Sequence, residues 1–151
     1  MPADSERRPP TPSLPHTWRP LGVRLAVVFF GGMLVAICAF AWFGFVPSVR
    51  ARFTFFQRST LVALGLLYAA VGHALARSRV VAEETGLTVV NGYKRHVYDW
   101  AQVVAVRLPQ GAPWATLDLA DGTTVSVLAI QGSDGDRARS AVRALRTLID
   151  R

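Results

Sequence analysis

Residues Leu25–Val46 read LAVVFFGGMLVAICAFAWFGFV, a run without a single charged side chain. At about 1.5 Å per helical residue such a run is roughly 33 Å long, enough to cross a hydrocarbon core of about 30 Å. A second apolar run, Ser59–Ala76, reads STLVALGLLYAAVGHALA. The segment between the two runs, Pro47–Arg52, leaves room only for a tight turn. Together they predict a transmembrane hairpin with helices over about residues 22–46 and 54–76.

Two other interpretations of these runs are a soluble protein with two buried core helices and a cleaved signal peptide followed by one helix. An amphipathic soluble helix would show a polar stripe at helical spacing, and the first run has none. A signal peptide has an apolar region of about 7–15 residues and a small-residue cleavage site. The first run is longer and ends in bulky residues, Trp42, Phe43 and Phe45. The membrane hairpin is therefore favoured.

The basic residues predict how the hairpin is oriented, because Lys and Arg near the ends of membrane helices prefer the cytoplasmic side. The flanks on the side of the termini carry eight of them: Arg7, Arg8, Arg19, Arg24, Arg77, Arg79, Lys94 and Arg95. The connecting side carries three: Arg50, Arg52 and Arg58. We therefore expect a multi-pass protein of the inner (plasma) membrane with both termini in the cytoplasm.

The formal net charge of +7 is a property of the membrane segments and not of the remainder of the chain. From Val80 onward, eight basic residues are balanced by eight acidic residues. The excess lies before that point, where it orients the helices and meets anionic lipid headgroups. A nucleic-acid partner is therefore not expected.

The chain divides into three predicted parts. Residues 1–20 are rich in proline and poor in residues that can be buried, which predicts a disordered cytoplasmic tail. Residues 21–77 form the transmembrane hairpin. Residues 78–151 form a soluble cytoplasmic domain, since short alternating segments and turn dipeptides begin there.

Small residues at a spacing of four mark a candidate contact between the two membrane helices. They are Gly32 and Ala36 on the first helix and Gly65 and Ala69 on the second. His73 lies near the cytoplasmic end of the second helix. It is either a proton relay or, more simply, a histidine that reaches the interface or bonds across the hairpin.

The remaining chain predicts about six antiparallel strands and one helix. The strands are Val80–Glu84, Leu87–Val90, Tyr93–Asp99, Gln102–Leu108, Trp114–Ala120 and Thr123–Leu128. The dipeptides Asn91-Gly92 and Asp121-Gly122 are typical of tight hairpin turns. An apolar stripe from Ala138 to Ile149 predicts a C-terminal helix capped by Ser133 or Asp134. The fold class is a small α+β domain, an antiparallel β-sandwich or barrel closed by that helix.

Four stretches of this region carry a resemblance to a known family: Gly86–Gly92, Asp99–Val104, Pro113–Thr123 and Val127–Gln131. They resemble the bacterial pleckstrin-homology (PH)-like domain of the actinobacterial low molecular weight protein antigen 6 family. The resemblance implies two membrane helices ahead of a PH-like domain. PH folds usually have seven strands, so the seventh is either fused with the linker after Ala76 or absent.

The sequence offers no catalytic, metal or cofactor site. His16, His73 and His96 lie in three different parts of the chain and cannot combine with the lone Cys38 as metal ligands. Neither a phosphate-binding loop nor a nucleophile with its base is recognisable. We therefore expect a binding protein and not an enzyme.

The candidate contact surface is a basic and aromatic hairpin comprising Tyr93, Lys94, Arg95 and His96. It would meet a protein partner or the inner membrane surface, as part of a membrane-anchored binding or scaffolding module. The alternative is an accessory subunit of an envelope or transport complex, assembled through the transmembrane hairpin.

Overall fold

The computed structural model describes residues 12–151. The elements follow in the order β1 (His16–Trp18), α1 (Leu21–Gly44), α2 (Pro47–Arg52), α3 (Phe55–Arg77), β2 (Arg79–Ala82), β3 (Gly86–Asn91), β4 (Lys94–Asp99), β5 (Val103–Arg107), β6 (Trp114–Leu119), β7 (Thr124–Gln131) and α4 (Asp136–Ile149). Short 3-10 turns, Trp100–Gln102 and Gly132–Asp134, precede β5 and α4.

The helices α1 and α3 are long and apolar enough to cross a membrane. No residue of α1 and only Gly72 of α3 is buried, so the helices are not packed into the core of a soluble protein. Their exposed surface is almost entirely hydrocarbon, which is the surface that a lipid bilayer covers. The structure therefore does not support the alternative of two buried core helices.

Contact between α1 and α3 is made by different small residues from those predicted. A methyl group added at Gly72 would meet Val27 at 2.7 Å, and one added at Gly31 would meet Tyr68 at 3.0 Å. At Gly32 and Gly65 an added methyl group would meet nothing within 4 Å. Ala36 and Ala69 are likewise exposed. The predicted close contact is therefore not found at Gly32 and Gly65. For Ala36 and Ala69 the packing stays a prediction.

The connection between the long helices is a short helix, α2, and not the predicted tight turn. Pro47 occupies its first turn, where a proline costs no hydrogen bond, and Arg50 and Arg52 lie in its last turn. Arg58 donates from Nη2 to the carbonyl of Arg50 at 3.0 Å. The same guanidinium lies 5.4 Å from the centre of the Trp42 ring. These contacts hold α2 across the ends of the long helices.

The strands form a four-stranded sheet, β1-β2-β3-β4, and a three-stranded sheet, β5-β6-β7, both antiparallel. Residues 12–151 thus contain seven strands and not six. The seventh is β1, which precedes the helical pair and pairs with β2 behind it, with Thr17 opposite Val81. The helical pair is therefore inserted between the first two strands of one sheet.

This pairing corrects two predicted boundaries. Residues 1–11 of the predicted disordered tail lie outside the described residues. Residues 16–18, however, form a strand, and Pro20 is fully buried. The domain predicted for residues 78–151 also includes this strand. Main-chain hydrogen bonds to β2 and burial of part of Trp18 against the core explain why the segment is ordered.

The core lies between the two sheets and α4. Its fully buried side chains include Leu87 and Val89 of β3, Val106 of β5, Leu117 of β6 and Leu145 of α4. α4 closes the open end of the sheets with the predicted apolar stripe. The predicted fold class, an α+β domain of antiparallel sheets capped by a C-terminal helix behind two apolar helices, is confirmed.

The two predicted hairpin turns differ in outcome. Asp121 and Gly122 lie in the β6–β7 connection, where Gly122 has φ +83°. In the β3–β4 hairpin, Asn91 pairs with Lys94, so the two loop residues are Gly92 and Tyr93. The turn is shifted by one residue because Asn91 stays in the strand, where its side chain binds Ser126 and Leu128 of β7.

Candidate interaction surface

The start of α1 is capped by a residue from the opposite end of the chain. Asp134 accepts hydrogen bonds from the backbone N–H groups of Gly22 at 2.9 Å and Leu21 at 3.2 Å. The local cap position is Pro20, which offers no side-chain acceptor. Asp134 thus satisfies two of the N–H groups that a helix leaves free at its beginning. Its negative charge also suits the positive end of the helix dipole.

The sequence predicted that Ser133 or Asp134 caps α4. Asp134 instead caps α1. α4 begins at Asp136 after Gly135, which has φ +58°, and no side chain caps it. The 3-10 turn that holds Asp134 is directed towards α1 instead. The structure thus assigns this carboxylate to the contact between domain and helical pair.

The end of α3 is joined to the domain through Ser78. This side chain is fully buried and donates to the carbonyl of Ala74 at 3.2 Å. It also accepts a hydrogen bond from the N–H of Gly92 at 2.9 Å. A buried hydroxyl with both a donor and an acceptor partner is fully satisfied, so it holds the β3–β4 turn against α3 without an unpaired polar group.

The predicted contact residue Tyr93 packs on α3. Its hydroxyl donates to the carbonyl of Ala70 at 3.3 Å and lies 3.1 Å from Nδ1 of His73. The guanidinium of Arg77 lies 5.3 Å from the centre of its ring, within range of a cation–π contact. Tyr93 and His73 thus link the domain to the helical pair. The partner of His73 is thus a residue of the domain and not one across the hairpin on α1.

The other three predicted contact residues remain exposed on β4. Lys94, Arg95 and His96 are all accessible, and β4 is an edge strand of its sheet. The ring of His96 stacks on Tyr98 with centroids 6.2 Å apart. Burial, and secondarily the charge of Asp121, raises the pKa of the Tyr98 phenol above its ordinary value. Within β4 the positive charges are those of Lys94 and Arg95, and Asp99 at the end of the strand is acidic.

One surface depression, about 650 Å³ in volume, is formed by the β5–β6 loop, the turn before α4 and the start of α4. Its lining contains Ser133 and Arg139 but no carboxylate, histidine or cysteine. Among residues 12–151, no group of three or more His, Cys, Asp or Glu side chains is placed to hold a metal ion.

Comparison with known proteins identifies the domain behind the helical pair. Residues 77–148 match the family model described as Bacterial PH domain. The chain belongs to this family. The match ends near the end of α4 and begins at the end of α3, so it covers every element of the domain except β1.

Relatives of this bacterial PH domain protein share more than the domain. The uncharacterized proteins Rv1417 of Mycobacterium tuberculosis and Mb1452 of Mycobacterium bovis are each 34% identical over 140 residues. The alignments cover 91% of this chain and 86% of each relative. They therefore include the helical pair as well as the PH domain. No solved structure matches the chain.

Sequence reasoning missed the role of two residues that join the domain to the helices, Asp134 and Ser78. Ser78 gives no signal, because a serine after a helix is ordinary. For Asp134 a weak signal exists: Pro20 precedes α1 and cannot supply a side-chain cap, so an acceptor from elsewhere is needed.

Proposed function

We propose that this chain is a membrane-anchored, non-catalytic binding module. Its two long helices anchor it in the cell membrane, and its bacterial PH domain lies on the cytoplasmic side, where it binds a protein partner or the inner membrane surface. The single observation that carries this proposal is the double attachment of the domain to the helices, through Asp134 at the start of α1 and Ser78 at the end of α3. The domain is held at the end of the helical pair with β4 exposed.

The orientation is supported by two independent features. The pairing of β1 with β2 requires the segment before α1 and the domain after α3 to lie on one side of the membrane. The basic residues that flank this side outnumber those on the connecting side, which favours the cytoplasm. Both termini are therefore cytoplasmic.

The binding role is supported by what the exposed surface offers. Lys94, Arg95 and His96 supply cations and hydrogen-bond donors on an edge strand. Exposed edge strands present free main-chain groups that a partner strand can pair with. With the helices as anchor, weak binding at this edge is sufficient. The two membrane helices ahead of the domain also agree with membership of the low molecular weight protein antigen 6 family.

The test uses the full chain with a photo-crosslinker in place of His96. We expect crosslinked protein partners in cells, and we expect Lys94→Glu with Arg95→Glu to reduce them. A matched control, Arg137→Glu with Arg143→Glu, changes the same charge on exposed positions of α4. Unaltered crosslinks together with unaltered liposome binding in the β4 variant would move the binding surface elsewhere.

The second candidate is an accessory subunit of an envelope or transport complex that assembles through the helices. The observation that favours it is the outward direction of Gly32 and Gly65, whose faces are not covered by the other helix. Purification of the helical pair in detergent without residues 79–151 distinguishes the two functions. A complex that survives this deletion is held by the helices, whereas one that is lost is held by the domain.

A further inference from the structure

The strand β4 has one side that no other strand among residues 12–151 covers. It is the last strand in the order β1-β2-β3-β4, and only its other side pairs with β3. Five of its six residues are exposed, and the sixth is partly exposed. The uncovered side, which we call the open side of β4, is therefore accessible to another chain.

The register of the β3–β4 hairpin shows which main-chain groups point to the open side. Asn91 pairs with Lys94 across a two-residue loop, and the residues that close such a loop bond to each other. Because bonded and non-bonded pairs alternate along an antiparallel ladder, His96 also bonds to β3. The N–H and C=O groups of Arg95 and Val97 therefore point away from β3, towards the open side.

The next residue of this alternating set, Asp99, supports the same direction. Its N–H donates to Oε1 of Gln102, which lies beyond the strand, at 3.0 Å. This bond satisfies Asp99 within the chain and ends the open side at that residue. Among residues 12–151, no side chain or loop accepts a hydrogen bond from the N–H of Arg95 or Val97 in this way. Their main-chain groups are thus available to a further strand.

The side chains of Arg95 and Val97 indicate what such a strand would carry. Both lie on the face turned away from the core, because His96 between them is opposite the fully buried Val89. Val97 is apolar and yet 62% exposed. Arg95 is exposed, and neither ion pair found among residues 12–151 includes it. Cross-strand pairs are favourable between apolar side chains and between opposite charges, so an apolar residue fits opposite Val97 and an acidic residue opposite Arg95.

We propose that β4 binds an extended segment of a partner protein, which joins the sheet as a fifth strand. The segment runs antiparallel to β4, because antiparallel pairing is the more stable per residue. It bonds to the main chain of Arg95 and Val97 and places an acidic residue opposite Arg95 and an apolar residue opposite Val97. The inference rests on the proposed function and deepens it by naming the conformation and the side chains of the partner. In strand addition, the main-chain bonds supply affinity and the alternate side chains supply specificity.

The test uses the isotope-labelled full chain in detergent micelles and the synthetic peptide acetyl-Thr-Val-Thr-Glu-Thr-amide at millimolar concentration. In antiparallel alignment, the valine of the peptide lies opposite Val97 and its glutamate lies opposite Arg95. We expect the peptide to shift the amide NMR signals of Arg95 and Val97 and to slow hydrogen exchange at both. A peptide with lysine in place of the glutamate should bind more weakly, because it places like charges opposite one another.

Removal of single main-chain donors distinguishes strand addition from other contacts. N-methylation of the peptide's valine removes a donor that faces β4, whereas N-methylation of its middle threonine removes a donor that faces solvent. We expect the first change to weaken binding about fivefold and the second to leave it unchanged. In the protein, Val97→Pro removes the N–H on the open side and keeps the bonds to β3, a position where edge strands tolerate proline. We expect Val97→Pro to lose the peptide and the control Val97→Thr, which keeps the N–H, to bind it.

Three results would overturn the proposal. The first is a peptide that changes neither amide, and the second is an equal effect of the two methylations, which leave the protein itself unaltered. The third is a dimer of the parent that Val97→Pro converts to monomers, since the occupant of the open side would then be a second copy of the chain. Photo-crosslinks from position 96 report the proposed function separately. If Lys94→Glu with Arg95→Glu reduces those crosslinks while the peptide fails to bind, the proposed function stands and strand addition is wrong.

Discussion

The carboxylate of Asp134 lies 2.9 Å from the backbone nitrogen of Gly22, although 112 residues separate them along the chain. The contact joins the PH domain to the first turn of α1. It is possible because Gly22 has no side chain: a methyl group there would meet Oδ1 of Asp134 at 2.6 Å. The link thus depends on two residues: the carboxylate of Asp134 and the absence of a Cβ atom at Gly22.

Removal of the carboxylate should loosen the domain from the helix. Asp134→Ala leaves the N–H groups of Leu21 and Gly22 without a side-chain acceptor, and loss of a helix cap costs about 1 kcal/mol. We expect a lower unfolding temperature in detergent and faster hydrogen exchange at these two amides. Asp134→Asn, which keeps an acceptor oxygen, should lose less. The exposed control Asp150→Ala should change neither quantity, and equal exchange in Asp134→Ala and the parent would contradict this role.

Alanine substitutions at Gly22 and Gly32 should change the stability of the protein in opposite directions. Alanine is favoured over glycine within a helix by about 1 kcal/mol. At Gly32, where nothing lies within 4 Å, Gly32→Ala should leave stability unchanged or raise it. At Gly22 the added methyl group would displace Asp134, so Gly22→Ala should lower the unfolding temperature. A gain in stability at both positions would show that the Asp134 contact is dispensable.

The β6–β7 turn should make stability depend on pH. Asp121 accepts from the Thr123 hydroxyl at 2.7 Å and from the Thr123 N–H at 2.9 Å. These bonds, the hydroxyl first, hold the pKa of Asp121 below its usual value of 3.8. A lowered pKa in the folded state means that the charged group stabilises the fold above about pH 4, and that this contribution is lost as pH falls through the folded value.

The variant Asp121→Asn tests this dependence because it keeps an acceptor oxygen and removes the charge. We expect it to be less stable than the parent at pH 7, with the difference shrinking below about pH 4. The measurement is the unfolding temperature of the full chain from pH 7 to pH 3. A difference that stays constant over this range would exclude the titration of Asp121 as its source.

The orientation of the helical pair can be read with reporter fusions. We expect a reporter fused at Arg151 to be active only as a cytoplasmic enzyme, and one inserted at Ser48 to be active only outside. The reason is the excess of basic residues on the side of the termini. An external Arg151 would contradict the topology.

Much of the fold could be predicted because its signals are local. The absence of charge in Leu25–Val46 and the alternation in segments such as Trp114–Leu119 are properties of adjacent residues. β1 could not be predicted in this way. His16–Trp18 is three residues long in a proline-rich segment, and its partner strand lies beyond the whole helical pair.

The candidate site shows the same division. Lys94, Arg95 and His96 stand out locally as a charged hairpin, and they are exposed as expected. Their neighbour Tyr93 looks equally suited to a partner, but it binds Ala70 and His73. A side chain such as Tyr93 is unavailable to a partner when it already contacts the helical pair. The position of the helical pair depends on long-range contacts, which no local sequence pattern contains.

The central claim is that the helical pair is inserted into the PH domain, between β1 and β2. A disulfide crosslink tests it most directly, because Thr17 of β1 and Val81 of β2 are opposite one another on the face of the four-stranded sheet that is turned away from the core. Residues directly opposite in an antiparallel pair have Cβ atoms about 4.5–5.5 Å apart, close enough for a disulfide after a small adjustment. The background is Cys38→Ser, which removes the free cysteine.

The measurement is mass spectrometry of the full chain in membranes after mild oxidation. In the variant with Thr17→Cys and Val81→Cys, we predict a disulfide between the peptides that hold positions 17 and 81 of one chain. The control with Thr17→Cys and Ser48→Cys, at opposite ends of the helical pair, should form none. Absence of the first disulfide, or formation of the second within one chain, would contradict the insertion of the helices into the domain.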